Sequence, residues 1–262
     1  MTLRCVDAHV AVGGRILLKN VSATLQPGRF VAILGPNGAG KSTFLSLLSA
    51  QRKPGAGQIY MDETPLGSMR PQDLAVRRAV MPQESAVAFD FTAREVAELG
   101  RYPHRQRPDA DEAGIVSRAL DATGVTALAS RIFNTLSGGE KARVHLARSL
   151  AQVWLPLPDG AARWLLLDEP TAALDLAHQH QTLRLLRARA HEQGMGIAAV
   201  LHDLNLALCY ADDALLLADG AAACFGPVAE VLTPERMKSV WGVDCTPVRN
   251  AEGVLQYLFG PT

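Results

Sequence analysis

The sequence predicts an α/β fold in which a helical subdomain interrupts a core of parallel strands. Short apolar runs such as FVAILG have the length and composition of strands that are buried on both faces of a parallel sheet. Between about residues 91 and 152 the apolar spacing is instead typical of helices, as in SGGEKARVHLARSLAQ. Strand signals return afterwards in WLLLDE and GIAAVLHD. Strands on both sides of a helical stretch indicate an α/β core with an insertion.

The individual elements follow from local patterns, taken from the N-terminus onwards. Alternating polar and apolar residues in LRCVDAHVAV and ILLKNVSATL predict an N-terminal antiparallel β unit. We expect a helix from Lys41, further strands at residues 58–62 and 79–81, and an amphipathic helix over about residues 176–191. The Pro-rich segment WLPLPDGAAR ends the inserted helical run, and CTPVRNAEGVLQYLF resembles a terminal hairpin.

The composition limits the classes of protein to which this chain can belong. Hydrophobic residues make up 48% of the 262 residues, which is enough for a large core. The 26 basic and 26 acidic side chains cancel, which argues against a nucleic-acid binder that neutralises phosphates with a basic excess. The 4 cysteines form no CxxC pair and are expected to be reduced thiols. Because the chain shows no leader and no apolar run of about 18 residues, we expect any link to a membrane to come through a partner.

A Gly-rich loop at residues 35–42 carries the first chemical signal. Its sequence, GPNGAGKS, matches G-x-x-x-x-G-K-[ST] and lies between a predicted strand and a predicted helix. Successive N–H groups in such a loop form an anion-binding nest, and the helix N-terminus adds its dipole. Lys41 would reach the β and γ phosphates, and the Ser42 hydroxyl would join a Mg²⁺ shell. A plain turn with a surface lysine is the alternative, which the strand–loop–helix context disfavours.

Two carboxylates end the later strand WLLLDE. Asp168 fits the role of a Mg²⁺ ligand, usually through a water molecule. Glu169, one residue further on, can orient a water for attack on a γ phosphate. An Asp-Glu pair at the end of a strand is more often an ordinary loop start. The phosphate loop upstream favours the functional interpretation.

Residues 136–150, LSGGEKARVHLARSL, begin a helix with two residues that weaken it. Ser137 and Glu140 have the spacing of a capping box. Gly138 and Gly139 fill the first turn, where each costs up to about 1 kcal/mol relative to alanine. Either the stretch is a loose turn before a surface helix, or its bare N–H groups contact something bulky and anionic. The stretch alone favours the loose turn.

Together these motifs resemble the ATP-binding subunits of ABC transporters, over nearly the whole chain and in the family's order. GPNGAGKS resembles the Walker A loop, MPQ the Q-loop, LSGGE the signature, WLLLDE Walker B, AALD the D-loop and VLHD the switch. The resemblance implies one ABC ATPase domain over residues 1–262. It would have a P-loop NTPase core, the N-terminal antiparallel β unit and an α-helical subdomain inserted at about residues 86–160.

The resemblance also assigns roles residue by residue, with ATP and Mg²⁺ as the bound species. The implied catalytic residues are Glu169, His202 and Gln83. The implied metal-binding residues are Ser42, Gln83 and Asp168. The implied nucleotide-binding residues are Gly35, Pro36, Asn37, Gly38, Ala39, Gly40, Lys41, Ser42 and Thr43 of one subunit, with Ser137, Gly138 and Gly139 of the other subunit. This pairing implies a head-to-tail homodimer, and it explains the two glycines as sites of close backbone approach.

Further partners are implied by the same resemblance. The chain would be a peripheral subunit at the cytoplasmic face of the bacterial inner membrane, bound to transmembrane permease subunits that a periplasmic substrate-binding protein serves. No nucleic-acid partner is expected. The segment ESAVAFDFTAREVAELGRYPH is where such subunits receive a coupling helix of the permease. Phe89 and Phe91 would line that groove or pack in the core, and Asp175 would contact the opposite subunit or cap a helix.

One position departs from the family pattern. Family members often place an adenine-stacking aromatic residue before the first Gly-Gly turn, where this chain has Val12. Adenine stacking is therefore expected to be lost or supplied elsewhere.

The substrate is indicated by resemblance alone. LGRYPH and EPTAALDLAHQ resemble importers of iron chelates, hemin and cobalamin. The long segment LAQVWLPLPDGAARWLLLDEPT resembles hemin importer subunits in particular, and its alternative interpretation is a variable surface loop with no role in substrate choice. Ferric siderophore and cobalamin importers remain alternatives. A soluble ABC ATPase acting outside transport is the alternative of another class. His178 and His180 lie two apart on a predicted helix, so they do not share a face, and we expect solvated positions rather than a heme site.

Overall fold

The computed structural model describes residues 2–83 and 89–260. The strands are β1 (Leu3–Val12), β2 (Arg15–Leu25), β3 (Phe30–Leu34), β4 (Ala56–Met61), β5 (Thr64–Pro65), β6 (Arg78–Met81), β7 (Trp164–Leu167), β8 (Gly196–Val200), β9 (Asp213–Ala218), β10 (Ala221–Pro227), β11 (Cys245–Arg249) and β12 (Leu255–Phe259). The helices are α1 (Lys41–Leu48), α2 (Pro71–Arg77), α3 (Ala93–Glu98), α4 (Glu112–Ala122), α5 (Gly138–Gln152), α6 (Leu176–Gln193), α7 (Leu204–Tyr210), α8 (Val228–Val231) and α9 (Pro234–Trp241).

The central sheet has six strands in the order β10-β9-β3-β8-β7-β6. All neighbours pair in parallel except β10, which is antiparallel at one edge. Every residue of β3 is buried, with Phe30 facing one hydrophobic core and Val31 facing the other. Burial on both faces explains why the strand is a continuous apolar run. Because parallel strands end at the same edge of a sheet, the loops that follow β3, β8, β7 and β6 are brought together there.

The predicted N-terminal antiparallel β unit is confirmed. It is a four-stranded sheet in the order β2-β1-β4-β5. Leu3 of β1 pairs with Leu25 of β2 and with Met61 of β4. The apolar face of this sheet shares a core with Phe44 of α1 and with Ile33 of the central strand β3. The first turn of α1, which follows the Gly-rich loop, is thus held between the two sheets.

The helices α3, α4 and α5 lie in the chain between β6 and β7, as an insertion of the predicted kind. Ile115 of α4 and Val144 of α5 are fully buried in the core that also includes Leu167 of β7. The end of α5 is attached to the start of β6, because the side-chain amide of Gln152 donates to the carbonyl of Arg78 at 2.9 Å. The boundaries of about residues 86 and 160 remain a prediction, and residues 86–88 lie outside the described part.

The Pro-rich loop before β7 is held by one buried cation. The guanidinium of Arg163 donates to the carbonyls of Val153, Trp154 and Gln193, at 3.0, 2.7 and 2.9 Å. Only 5% of Arg163 is exposed. These contacts join the two ends of the loop to each other beside the end of α6.

The terminal hairpin predicted from the last alternating stretch is also confirmed, since β11 pairs with β12 in an antiparallel register. All four cysteines are free. Within residues 2–83 and 89–260, no helix combines the length and apolar character needed to cross a membrane.

Candidate nucleotide site

The phosphate loop is shaped by the glycine that precedes α1. Gly40 is the N-cap of α1 and has a φ of 98°, in the left-handed region. A Cβ at this position would lie 2.7 Å from the carbonyl oxygen of Leu17, so a side chain is excluded by both strain and space. The N–H of Ala39 donates to the carbonyl of Pro36 at 3.2 Å, which closes the turn. The helix begins at Lys41, as predicted.

Lys41 turns back over this loop. Its ammonium donates to the carbonyls of Gly35 and Pro36 at 2.8 and 2.9 Å, and the residue is only 6% exposed. Burial lowers the pKa of Lys41, and the negative charges of Glu169 and Asp168 work in the opposite direction. An ammonium has three N–H donors, so it can serve another acceptor beside the two carbonyls. A buried cation bonded to neutral carbonyls favours the approach of an anion.

Asp168, which follows β7, forms a hydrogen bond with Ser42 at the start of α1. The Ser42 hydroxyl donates to a carboxylate oxygen of Asp168 at 3.1 Å. Burial raises the pKa of Asp168, the hydrogen bond from Ser42 lowers it, and the charge of Glu169 raises it further. The backbone N–H of Asp168 donates to the carbonyl of Met81 at 2.9 Å, which fixes the end of β7 beside the end of β6. The two side chains present oxygen atoms, which are the ligands that Mg²⁺ prefers.

Glu169 lies between two polar side chains, those of His202 and Gln83. One of its carboxylate oxygens lies 2.8 Å from Nε2 of His202. The other accepts a hydrogen bond from the side-chain amide of Gln83 at 3.0 Å. Glu169 has a φ of 52°, a left-handed conformation that is uncommon for a residue with a side chain. The three residues expected to be catalytic therefore lie together at the edge of the sheet, and this carboxylate is held from both sides.

The start of α5 has the predicted capping box. The N–H of Glu140 donates to the Ser137 hydroxyl at 3.3 Å, and the N–H of Ser137 donates to the Glu140 carboxylate at 2.7 Å. The two glycines differ in their surroundings. A Cβ at Gly139 would lie 2.9 Å from the carbonyl oxygen of Ala173, whereas a Cβ at Gly138 would have no heavy atom nearer than 3.8 Å. The need for glycine at 139 thus arises within the subunit, and the packing of the chain leaves space for a methyl group at 138.

The motif order and the fold have counterparts among known proteins. Residues 18–172 match the family model described as ABC transporter. This chain belongs to the ABC transporter family. The Hemin import ATP-binding protein HmuV of Myxococcus xanthus is 51% identical over 245 residues, which cover 93% of this chain and 91% of that protein. The protein of the same name from Bordetella bronchiseptica is 43% identical over 244 residues, which cover 93% of each chain.

Solved structures of ABC proteins share the fold. An inward-facing metal-chelate type ABC transporter has a TM-score of 0.80 at 27% identity, covering 100% of this chain and 97% of that chain. A dimeric ATP-binding cassette in a post-hydrolysis state with ADP and Pi has a TM-score of 0.75 at 27% identity, covering 86% and 98%. The predicted P-loop NTPase fold of the ABC ATPase type is confirmed.

The D-loop of this ABC protein leads directly into α6. Asp175 is the N-cap of α6, and its carboxylate accepts from the backbone N–H of His178 at 2.9 Å. The same carboxylate lies 2.8 Å from the ring Nδ1 of His178. Nδ1 of His180 lies 2.7 Å from the hydroxyl of Tyr210. The expectation of solvated positions is wrong for His180, which is half-buried and contacts Tyr210, whereas His178 keeps 34% of its side chain exposed.

The segment expected to receive a permease is partly described. Residues 84–88 lie outside the described part of the chain. Phe89 is 70% exposed, whereas Phe91 packs against the core, and their rings meet edge to face at 6.0 Å. Leu99 and Tyr102, further along the segment, are 46% and 61% exposed. Apolar side chains are thus available on this surface of the ABC subunit.

One contact near the site could not be found from motifs. Ala173, whose carbonyl crowds Gly139, is one small residue in AALD with no mark of this contact in the local sequence. Val12, which the sequence already marks as a departure from the family pattern, is 49% exposed.

Proposed function

We propose that this chain is the ATP-hydrolysing, energy-coupling subunit of an ABC importer whose substrate is hemin. The observation that carries the chemistry is the placement of Glu169 between His202 and Gln83 at the edge that also holds the phosphate loop. The substrate rests on relatives named for hemin import that are 43% and 51% identical over more than nine-tenths of their length.

ATP would bind through the loop of residues 35–43. Its backbone N–H groups and the N-terminus of α1 attract the phosphates, and Lys41 adds a buried positive charge next to them. Lys41 makes two carbonyl contacts, so its third N–H donor would bind a phosphate oxygen. Burial lowers the pKa of Lys41. The negative charge of a bound phosphate would raise this pKa and so stabilise the protonated ammonium.

Mg²⁺ would be held by Ser42 and Asp168, with the side-chain oxygen of Gln83 as a third protein contact. The donor set fits the ion, because hydroxyl, carboxylate and amide oxygens are hard ligands. A second reason for the fit is electrostatic, since burial raises the pKa of Asp168 and a nearby cation would stabilise its ionised form. When bound, the ion would supply charge neutralisation on the β and γ phosphates.

Hydrolysis would depend on Glu169. Its carboxylate is fixed by Gln83 on one side and His202 on the other, so it can orient a water molecule for in-line attack on the γ phosphate and accept a proton from it. His202 would also contact the γ phosphate. The side chain of Glu169 is 16% exposed and that of His202 is 45% exposed, so the imidazole is the more accessible of the two.

The active unit would be a head-to-tail homodimer. Ser137, Gly138 and Gly139 of one subunit would contact the γ phosphate bound to the Walker A loop of the other. The space at Gly138 supports this role, because packing within the subunit does not account for the missing side chain there. Asp175 would contact the opposite subunit from the D-loop, which adjoins the signature helix through Ala173.

The permease would dock on the segment that follows Gln83. Phe89, Leu99 and Tyr102 are exposed there and offer apolar contact surface. The subunit would lie at the cytoplasmic face of the inner membrane, attached through the permease, and a periplasmic substrate-binding protein would deliver hemin from the other side. Closure of the two ATPase subunits would then be passed to the permease.

The experiment that tests this function is stimulation of ATP hydrolysis in the assembled transporter. The chain is reconstituted with its permease, and ATPase is measured with binding protein loaded with hemin, ferric siderophore or cobalamin. Hemin-loaded binding protein should stimulate hydrolysis several-fold over the empty binding protein. Stimulation by siderophore or cobalamin alone would overturn the substrate. Absence of stimulation by all three would overturn the role in import.

A further inference from the structure

The C-terminal hairpin is attached to the helix that follows the switch histidine. Asn205 is the second residue of α7, which begins two residues after His202. Its side-chain amide pairs with the main chain of Tyr257 in β12, because Nδ2 donates to the Tyr257 carbonyl at 3.0 Å and Oδ1 accepts from the Tyr257 N–H at 2.8 Å. Both polar atoms of the amide are used, as in the pairing of two strands.

The hairpin is a fixed support for this contact. Tyr257 is 3% exposed, and its hydroxyl donates to the carbonyl of Leu232 at 2.6 Å. Gln256 adds a second attachment, since its side-chain amide lies 3.1 Å from the sulfur of Cys209 near the end of α7. The hairpin is therefore anchored to the body of the protein on both sides of Asn205.

The other contacts of α7 hold different parts of the helix. Arg187 of α6 donates to the carbonyl of Cys209 at 2.9 Å, and the Tyr210 hydroxyl contacts His180. These contacts fix the last turn. The first turn is capped by the carboxylate of Asp203, which accepts from the N–H of Leu206. That first turn is attached to the hairpin, next to the switch, by the two short hydrogen bonds of the Asn205 side chain and by a longer one, in which the Gln256 amide donates to the Asn205 main-chain carbonyl at 3.4 Å.

An asparagine is a poor choice for the helix itself. Inside a helix it is less favourable than alanine, because its side chain competes for backbone hydrogen bonds. In α7 the half-buried amide bonds to a distant strand instead, 52 residues further along the chain. The residue type is thus explained by the contact with the hairpin.

We propose that Asn205 is a positioning residue that holds α7 against the C-terminal hairpin and thereby fixes His202 beside Glu169. The inference rests on the proposed roles of His202 and Glu169 in hydrolysis. The proposal makes β12, whose Tyr257 holds Asn205, part of the support that sets the turnover rate, although this strand lies outside the stretch that matches the family model.

The first test compares two asparagine-to-alanine variants. Asn205→Ala should lower kcat for ATP by about tenfold, as expected for a misplaced catalytic group, with KM and ATP affinity of the monomer unchanged. Asn250→Ala is the matched control, because Asn250 accepts from Glu252 and Val254 within the hairpin turn. It should lower Tm and leave kcat unchanged. Equal kcat values for Asn205→Ala and the wild type would overturn the proposal.

The second test asks whether Asn205 acts through His202. In a His202→Ala background, Asn205→Ala should have no further effect on kcat, because the group that it positions is absent. The same fold loss in both backgrounds would overturn the positioning role alone. Full kcat in His202→Ala would overturn the proposed role of His202 and this inference with it. Asn205→Asp, which keeps the acceptor for Tyr257, serves in the same cycle where the alanine variant does not fold.

Discussion

Nε2 of His202 lies 2.8 Å from a carboxylate oxygen of Glu169. The two residues follow the neighbouring parallel strands β7 and β8, at the edge of the sheet where the phosphate loop begins. The contact joins the residue proposed to orient water to the residue proposed to sense the γ phosphate. A change in either side chain is therefore expected to affect the chemical step more strongly than the binding of nucleotide.

Glu169→Gln tests the chemical step. The amide keeps the size and hydrogen-bonding reach of the carboxylate but cannot accept a proton, so kcat should fall by about 10²- to 10⁴-fold. Affinity for ATP should be retained. The variant should accumulate as an ATP-bound dimer, which size-exclusion chromatography in the presence of ATP detects. Near-normal hydrolysis by Glu169→Gln would remove Glu169 from the role assigned to it.

Alanine substitution at the two signature glycines is predicted to have different effects on Tm. Gly138→Ala should keep or raise Tm, since a Cβ there meets nothing within 3.8 Å and alanine favours the helix by up to about 1 kcal/mol. Its ATPase and ATP-dependent dimerisation should nevertheless fall by at least about tenfold, because the methyl group would block the partner's phosphate. Gly139→Ala should lower Tm as well as ATPase, since its Cβ would crowd the carbonyl of Ala173.

Calorimetry and ATPase measurements on the two variants check this prediction. Full ATPase in Gly138→Ala would contradict close approach of the signature backbone to a nucleotide. Equal Tm values for the two variants would contradict the crowding at Ala173.

Ser137→Arg should block the signature without damaging the Walker A loop of its own subunit. The variant should bind ATP as a monomer and fail to dimerise or hydrolyse. Mixing it with Lys41→Ala should restore part of the ATPase, because each mixed dimer has one composite site with both lesions and one with neither. Loss of monomer affinity in Ser137→Arg, or no recovery in a mixture shown to form mixed dimers, would argue against a site shared between subunits.

The stability of the free subunit should depend on Asp168. Burial raises the pKa of this carboxyl group, so the unfolded chain ionises at lower pH than the folded chain. Ionisation therefore destabilises the fold as pH rises through and above the ordinary carboxyl range. Asp168→Asn should raise Tm at neutral pH, and the gain should disappear below about pH 3.8, the ordinary value.

The matched control is Asp121→Asn, at an exposed position of α4, which should leave Tm unchanged. In the same Asp168→Asn variant, Mg²⁺-dependent ATPase should be lost. A Tm lower than that of the wild type at neutral pH would contradict the cost of burying this charge. Unchanged Mg²⁺-dependent hydrolysis would remove Asp168 from the metal site.

Much of this architecture could be predicted because its causes are local. The apolar run at β3, the capping box of Ser137 and the alternating N-terminal strands each depend on neighbours in sequence. The meeting of Glu169 with His202 could also be expected, since both follow strands of one parallel sheet. The contact of Gly139 with Ala173 could not, because two loops distant in sequence determine it.

The same reasoning explains the other surprises. Asn205 is bonded to Tyr257 through tertiary packing, and no periodicity of the sequence marks such a pair. The half-buried state of His180 likewise depends on Tyr210 of a different helix. The short helices α2 and α7 are stabilised by packing more than by propensity, so their sequences carry weak signals.

The most direct test of the central claim is hemin uptake by proteoliposomes that contain this subunit and its permease. With ATP on the side of the subunit and hemin-loaded binding protein on the other side, hemin should accumulate where ATP is supplied. The same assembly with Glu169→Gln should bind ATP and transport no hemin beyond the level seen without ATP. Uptake that continues at the wild-type rate with Glu169→Gln would contradict the account. So would transport of ferric siderophore or cobalamin in place of hemin.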